Sequence, residues 1–247
     1  VTAVFAPTDS VDSYANGVAV TDLYVYVSGW GYQSQKGYVV KYDPSLSFIS
    51  SATFSLGGAL PVTDSAMVRI AVDKTGNNIY TAGYYNNGAN SDYLTTRFNS
   101  SLVRLSSAVF NGGSDDIPYD VAVDTMGDVF VTGVSTGANA DFLTFRYSPG
   151  LIFKSSSVYD SGNQDLGASV ALWGGYAYIA GYSNNGINND FHTIRRTLGN
   201  GSILPAGCAA GLNVAKGVPN DYTSIQAAVD ALDHNLGGDA CVVIRDT

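Results

Sequence analysis

The chain has 247 residues, and its formal net charge of −9 comes with only 13% charged residues. Affinity for a nucleic-acid backbone depends on clustered Lys and Arg, so this charge balance excludes nucleic acid as an expected partner. No apolar run reaches the roughly 18 to 20 residues of a membrane-spanning helix. With 45% hydrophobic residues, 28 Gly and 17 Tyr, we expect a folded, turn-rich β protein.

One pattern of strands and turns occurs four times along the chain. Each copy has an apolar strand, a tight turn, an aromatic strand ending in Gly, a polar loop and a further aromatic strand. The glycines that anchor the copies are Gly29, Gly83, Gly133 and Gly181, which lie 54, 50 and 48 positions apart. A repeat of this length indicates one supersecondary unit per copy, so the fold is predicted to be an array of such units.

The third copy displays the predicted unit most clearly. Residues 121–124 and 129–133 are predicted to form an antiparallel hairpin, because Thr125-Met126-Gly127-Asp128 between them is typical of a turn. Residues 141–147 and 154–159 supply a third and a fourth strand. Each copy is therefore predicted to be a four-stranded antiparallel meander.

Four such meanders predict an all-β protein, a β-propeller of four-stranded antiparallel blades. Radial stacking buries both faces of a blade between its neighbours, and the unalternating Val121-Ala122-Val123 suits an innermost strand. An open β-solenoid is the competing architecture, but its coils are too short for four strands. The propeller is assigned to residues 1–207, with blades at about 11–54, 64–110, 117–159 and 166–205.

The N-terminal residues 1–5 are a candidate closing strand. Thr2-Ala3-Val4-Phe5 matches the pattern of the predicted outer strands although it precedes the first blade. As the outermost strand of the last blade it would remove an open sheet edge. In the alternative, Ile203-Leu204 fills that place and residues 1–5 belong to an earlier blade. This N-terminus lacks the basic and apolar regions of a signal peptide.

Residues 208–247 differ in texture from the repeats and are predicted to be a C-terminal helix-strand segment. Four apolar residues have helical spacing: Ile225, Ala228, Val229 and Leu232. Residues 241–244 then form a strand. Cys208 and Cys241 are the chain's two cysteines, and we predict a disulfide between them, with two buried free thiols as the alternative.

Two parts of the chain resemble known families. The segments that carry the first resemblance are Gly112-Gly113-Ser114-Asp115-Asp116, Val121-Ala122-Val123-Asp124, Val129-Phe130-Val131-Thr132-Gly133 and Asp141-Phe142-Leu143-Thr144. They resemble the bacterial β-propeller repeat called SBBP over about residues 1–205. That family implies a secreted or surface-attached scaffold of large multidomain proteins, without established catalytic residues. The run DYTSIQAAVDAL followed by VVIRD resembles the N-terminal cap of pectate-lyase-like right-handed β-helices, which implies the start of a β-helix domain and a truncated chain.

Acidic residues in the loops between copies are candidate metal ligands. Carboxylates are the hard oxygen ligands that Ca²⁺ prefers, and Asp115, Asp116 and Asp120 are the candidates chosen here. The connector with Asp160 and Asp165 has the same character, although no connector has EF-hand spacing. Solvated loop charge is the alternative interpretation.

A second acidic position recurs within the copies themselves. Asp92, Asp141 and Asp190 each precede an aromatic residue. We predict that they accept hydrogen bonds from backbone N–H groups at turns.

Aromatic residues after the anchoring glycines are candidate glycan-facing side chains. These residues are Trp30, Tyr32, Tyr84, Tyr85 and Tyr182. Together with the Asn-Asn-Gly loops, they offer the rings and amides that carbohydrate recognition uses. Packing between blades is the alternative interpretation.

The sequence holds no catalytic motif. His192 and His234 are the only histidines and lie in different segments, and no nucleophile or metal-protease arrangement occurs. We therefore predict no catalytic residue, no cofactor other than the candidate Ca²⁺, and no enzymatic activity.

The main functional prediction is a non-enzymatic structural or adhesion scaffold, extracellular or at the cell surface. It would contact other protein domains or copies of itself, or surface glycans. The alternative is a carbohydrate-binding accessory region of a polysaccharide lyase or hydrolase whose active site lies beyond Thr247.

Overall fold

The computed structural model describes residues 1–9, 12–32, 34–56 and 68–197, and the backbone of Cys208–Val214 and Asp239–Ile244. The chain divides into two compact units, Val1–Arg196 and Thr197–Thr247. Throughout the part so described, the regular secondary structure is β-strand, and no helix is long and apolar enough to cross a membrane.

Four antiparallel meanders follow one another along the first unit. The first sheet has β1 Ser13–Val20, β2 Val25–Gly31, β3 Lys36–Tyr42 and β4 Phe48–Ser55. The second has β5 Arg69–Val72, β6 Asn78–Asn86, β7 Ser91–Asn99 and β8 Arg104–Phe110. The third has β9 Asp116–Val123, β10 Val129–Thr136, β11 Ala140–Tyr147 and β12 Phe153–Tyr159. The fourth has β13 Asp165–Trp173, β14 Tyr176–Asn184 and β15 Asn189–Thr197. The predicted order of strands and turns is confirmed for the first three sheets and for the three strands of the fourth that the structure describes.

The second unit contains a parallel pair of strands, β16 Cys208–Val214 and β17 Asp239–Ile244. Its register places Cys208 opposite Asp239, and Cys241 opposite Gly211. The helix predicted over residues 225–232 lies outside the described residues, as do the cysteine side chains and the outer strand predicted at Ile203-Leu204.

The four sheets of the first unit stack as the blades of a propeller. Strand β5 packs against β1 and β2, β9 against β5, β6 and β7, and β13 against β9, β10 and β11. The first strand of each sheet therefore lies on the preceding sheet, and these first strands are neighbours in succession. This arrangement makes them the innermost strands and confirms the predicted β-propeller fold.

Two apolar clusters fill the spaces between the first three blades. Tyr26 and Val39 of the first blade pack with Ile79 and Phe98 of the second. Tyr80 and its neighbours in the second blade pack with Val129, Val131 and Phe145 of the third. The second and third strands of these blades are accordingly buried at most positions, and their buried residues include Thr and Ser as well as apolar and aromatic side chains.

The anchoring glycines are explained by a bulge in the first strand of a blade. In the first, third and fourth blades the pairing of the first two strands shifts by one residue beside this glycine. The shift brings a backbone carbonyl oxygen of the first strand against the glycine. A Cβ would lie 2.2 Å from Tyr14 O at Gly29, 2.1 Å from Ile117 O at Gly133 and 1.8 Å from Leu166 O at Gly181. The anchoring glycines therefore recur along the sequence because each of these three blades brings a first-strand carbonyl oxygen against the same position of the second strand.

A cationic side chain on the third strand of each blade contacts the first residue of the second strand or the residue just before it. Lys41 lies 3.5 Å from the centre of the Tyr24 ring, Arg97 Nη2 donates to Asn78 Oδ1 at 2.7 Å, Arg146 Nε donates to Asp128 Oδ2 at 2.8 Å, and Arg195 lies 4.5 Å from the Tyr176 ring centre. This cation, Lys in the first blade and Arg in the other three, thus closes the end of each hairpin. Its partner changes from an aromatic ring to an amide or a carboxylate.

The N-terminal segment lies against the first blade. Residues 1–7 form no strand, and the Phe5 ring packs 6.1 Å from Tyr38 and 6.0 Å from Phe48, measured between ring centres. Asp9 accepts a hydrogen bond from the Tyr38 hydroxyl at 2.6 Å and pairs with Lys36 at 2.5 Å. The structure does not show the closing strand predicted for residues 1–5, because these apolar side chains cover an aromatic surface of the first blade instead.

Candidate functional site

The fourth blade carries an exposed aromatic ring on its outward face, meaning the face that points away from the third blade. Phe191 follows Asp190 on β15, as Tyr93 follows Asp92 and Phe142 follows Asp141 on the earlier blades. Tyr93 and Phe142 are 0% and 2% exposed, since the next blade covers them. A Cβ on Gly133 would meet the Tyr93 hydroxyl, and one on Gly181 would meet the Phe142 ring. Phe191 is fully exposed.

A groove of about 400 Å³ lies beside this ring. Asn189, Phe191 and Thr193 alternate along β15 and therefore point to one face of the sheet. Tyr182 and Ser169 line the groove from β14 and β13. The groove combines aromatic rings with hydroxyl and amide groups, on strands whose positions are fixed by pairing within the blade.

Hydrogen bonds from an asparagine-rich loop hold Asp190 at the edge of the groove. Asp190 Oδ2 accepts from Asn185 Nδ2 at 2.8 Å, and Asp190 Oδ1 accepts from Asn188 Nδ2 at 3.3 Å. Gly186, with a φ of 91°, lies in the turn of this loop. Asp190 accepts from side-chain amides, not from the backbone donors predicted, and its carboxylate lies on the face of β15 opposite to Phe191 because successive strand residues alternate.

His192 belongs to the packing between the third and fourth blades. Its ring stacks on Tyr159, with 4.3 Å between ring centres and 27° between planes. Phe142 lies 6.0 Å away in an edge contact. His192 borders the groove, but its ring packs against Tyr159 and Phe142 of the third blade. This contact helps to position β15 beside the third blade.

One of the five aromatic residues predicted to face glycans lines the groove, namely Tyr182. Trp30 and Tyr84 are 4% and 2% exposed and belong to the core between the first two blades. Tyr32 and Tyr85 are partly buried against the same core. For these four residues the structure corresponds to the alternative interpretation, packing between blades, because neighbouring blades cover their rings. Phe191 was missed, although its Asp-aromatic position was visible in the sequence.

The three aspartates predicted to bind Ca²⁺ serve separate parts of the fold. Asp120 Oδ2 accepts from the Ser169 hydroxyl at 2.7 Å and from the Val170 N–H at 2.9 Å, linking the innermost strands of two blades. Asp115 Oδ1 accepts from the Ser91 N–H at 2.8 Å. Asp116 is buried, and its Oδ2 accepts from the Gly112 N–H at 2.5 Å.

A different set of carboxylates converges in the described part of the chain. Asp141, Asp160 and Asp165 each place one oxygen within 4.8 Å of the other two. They lie at the start of β11, after β12 and at the start of β13. Burial raises the pKa of Asp141, and the neighbouring Asp160 and Asp165 raise it further. Sequence reasoning placed Asp160 and Asp165 in one acidic connector but assigned Asp141 to a turn.

Comparison with known proteins identifies similar folds. No family model and no curated protein matches the chain, so its resemblances to the SBBP repeat and to a β-helix cap stay predictions. The chain is similar in structure to an α-L-arabinofuranosidase from Clostridium thermocellum, with 13% identity, a TM-score of 0.45, and coverage of 76% of this chain and 70% of that one. It is also similar to a subtype N11 neuraminidase-like protein of A/flat-faced bat/Peru/033/2010 (H18N11), with 13% identity, a TM-score of 0.39, and coverage of 77% and 70%.

Both similar structures are β-propellers, and the likeness concerns the fold alone. It contradicts the prediction that the chain is not an enzyme, because proteins similar to it in fold include an arabinofuranosidase. The absence of a familiar catalytic motif was too weak a basis for that prediction.

Proposed function

We propose that this protein binds carbohydrate in the groove on the outward face of the fourth blade. The observation that carries the proposal is the fully exposed Phe191 ring on the face of β15 that it shares with Asn189 and Thr193. A sugar ring presents an apolar C–H face and a rim of hydroxyl groups. An exposed aromatic ring packs against the first, and amides and hydroxyls accept from or donate to the second.

The groups lining the groove indicate how a sugar would be held. Phe191 and Tyr182 supply aromatic surface, while Asn189 and Thr193 supply polar atoms on the same face of β15. Because pairing within the sheet already fixes these strands, the site needs little ordering when a ligand binds, which reduces the entropic cost. The net charge of −9 disfavours acidic sugars, so the proposed ligand class is a neutral glycan.

Replacing Phe191 by alanine should weaken glycan binding at least about tenfold, equivalent to about 1.4 kcal/mol. A glycan array with the full chain selects the ligand, and titration calorimetry then measures its Kd. Trp173→Ala is the matched control, because Trp173 is an exposed aromatic residue of the same blade outside the groove. Unchanged affinity in Phe191→Ala, or an equal loss in Trp173→Ala, would contradict the proposed site.

A second candidate function is assembly of copies through their blade faces. The ring positions equivalent to Phe191 are covered by a following blade at Tyr93 and Phe142. On the first blade, an apolar pocket of about 360 Å³ is lined by the sheet and by the N-terminal segment, and Tyr14 at this pocket is 51% exposed. One chain thus carries two unlike surfaces with an exposed aromatic residue, at Tyr14 and at Phe191, and contact between unlike surfaces produces a ring or a filament.

Assembly predicts a molar mass that rises with protein concentration. Light scattering coupled to size-exclusion chromatography should then give multiples of 25.8 kDa, and Phe191→Glu should restore the monomer because it places a charge on the contact face. A monomeric mass at every concentration, combined with glycan binding, would select the first function. A concentration-dependent mass without glycan binding would select the second.

A further inference from the structure

The junction between the third and fourth blades brings together three carboxylates from separate segments. Asp141 comes from the start of β11 and Asp160 from the residue after β12, while Asp165 begins β13 of the next blade. One oxygen of each lies within 4.8 Å of the others. A Ca²⁺ ion bound at about 2.4 Å keeps any two of its ligand oxygens within about 4.8 Å of each other. The spacing of the three carboxylates therefore fits a shared ion.

Neutral donors hold two of the three carboxylates: the Ser161 N–H and hydroxyl donate to Asp165, and the Gly162 N–H and Asn139 Nδ2 donate to Asp160. Asp141 Oδ1 is buried and has no hydrogen-bond partner. Among the residues that the structure describes, no Lys, Arg or His forms an ion pair with Asp141, Asp160 or Asp165. Like charges this close destabilise one another unless a cation or a proton is shared between them.

The preceding junction shows the same construction independently. Gly112 N–H donates to Asp116 as Ser161 N–H donates to Asp165, in each case across four positions. Asp92 stands where Asp141 does, and Asn111 stands where Asp160 does.

Two carboxylates of this preceding junction are almost completely buried. Asp92 is 2% exposed and Asp116 is 0% exposed, and the Oδ1 of each lacks a hydrogen-bond partner. Burial raises the pKa of Asp116, and the charge of Asp92 adds to that increase. Buried oxygens without donors at the same place in two junctions point to a ligand that supplies positive charge.

Of the three equivalent aspartates Asp92, Asp141 and Asp190, Asp141 is the one that no loop asparagine holds. Asp92 and Asp190 accept hydrogen bonds from Asn87 and Asn185. Asp141 lies eight positions after its anchoring Gly133, whereas Asp92 and Asp190 lie nine after theirs. Gly137 stands where Asn87 and Asn185 do, four positions after the anchoring glycine, and the asparagine of the shorter loop, Asn139, donates to Asp160 instead of Asp141.

We propose that Asp141, Asp160 and Asp165 bind one Ca²⁺ ion that links the third blade to the fourth. Ca²⁺ suits the site better than Mg²⁺, because it accepts irregular oxygen coordination with several carboxylates, while Mg²⁺ demands near-octahedral geometry and keeps its waters. Two ligands belong to the third blade and one to the fourth. The ion therefore fastens the blade whose outward face carries the groove.

Ca²⁺ binding is measured on the full chain after chelator treatment, by titration calorimetry with Ca²⁺ and by luminescence with Tb³⁺ as a probe. One ion per chain is expected, with a Kd of about 10⁻⁶ to 10⁻⁴ M, and saturation should raise the Tm. Asp160→Asn should weaken binding at least about tenfold. Asn already occupies the equivalent position 111 of the preceding junction, so this variant is expected to fold. Asp22→Asn, an exposed aspartate of the first blade, is the matched control and should bind like the parent.

Two further variants test the site through the stoichiometry of Ca²⁺ binding and through the Tm. Asn111→Asp completes a three-carboxylate cluster at the preceding junction and should raise the stoichiometry toward two. Asp141→Asn should abolish binding while leaving the calcium-free Tm unchanged or higher, because it removes an unpaired buried charge. Absence of saturable Ca²⁺ binding, or binding that survives both Asp160→Asn and Asp141→Asn, would overturn the proposal.

Discussion

Replacing Asp128 by alanine should lower the free energy of unfolding by about 3 to 5 kcal/mol, the usual result of removing one partner from a buried ion pair. The Asp128 side chain is 3% exposed and that of Arg146 is 12% exposed. Asp128 Oδ2 accepts from Arg146 Nε at 2.8 Å, and Lys154 Nζ donates to Oδ1 at 2.6 Å. Alanine removes the acceptor and leaves the Arg146 guanidinium buried beside the Phe130 ring without its counter-charge.

Two control variants separate the contribution of the buried Asp128–Arg146 pair from that of the more exposed Asp128–Lys154 pair. Asp128→Asn should cost much less than alanine, because Asn78 already holds Arg97 by hydrogen bonds at the equivalent place in the second blade. Lys154→Met should cost no more than about 1 kcal/mol, since the Lys154 side chain is 41% exposed. Denaturant unfolding measures all three. If alanine costs no more than asparagine, the pair contributes little, and packing alone holds the hairpin.

The repeat made the fold predictable from sequence. Each blade depends on local signals, such as the turn at residues 124–128, where Asp124 Oδ1 accepts from the N–H groups of Met126 and Asp128. Such turns fix where strands begin and end. The successive packing of blades follows from their apolar strands, which must be covered on both faces.

The candidate site depended on neighbours that local sequence does not report. Tyr93, Phe142 and Phe191 share one motif, yet the first two are buried and the third is exposed. The difference is that the next blade covers Tyr93 and Phe142, whereas no described blade follows the one that carries Phe191. Similarly, Trp30 and Tyr84 follow anchoring glycines as Tyr182 does, but they lie in the core between the first two blades.

The carboxylates illustrate the same limit. Asp115 and Asp116 are adjacent in sequence, but Asp115 ends a loop and Asp116 begins β9. Their carboxylates accept from different segments, at Ser91 of β7 and at Gly112. Proximity in the chain therefore did not produce a shared site.

Asp141, Asp160 and Asp165 are spread over 25 positions. They meet only because of the β11–β12 register, in which Phe142 pairs with Tyr159, and because β13 packs against the third blade. No spacing rule in the sequence would have grouped them.

Gly133→Ala should destabilise the protein by about 3 kcal/mol, at the upper end of the usual cost of overpacking. The added Cβ would lie 2.1 Å from Ile117 O, 2.5 Å from the Tyr93 hydroxyl and 2.8 Å from Pro118 Cα. Two of these three atoms belong to the backbone of β9, which the bulge holds in place. Relief therefore requires the first and second strands of the blade to separate.

Gly137→Ala is the matched control for this prediction. Gly137 lies four positions later in the same blade, and the nearest contact of its added Cβ is Asn139 O at 4.0 Å. Its stability change should stay within about 0.5 kcal/mol. The comparison isolates steric contact from the loss of chain entropy, because both variants restrict the unfolded chain equally. If Gly133→Ala proves as mild as Gly137→Ala, the bulge can relax, and the regular spacing of the anchoring glycines needs a cause other than backbone contact.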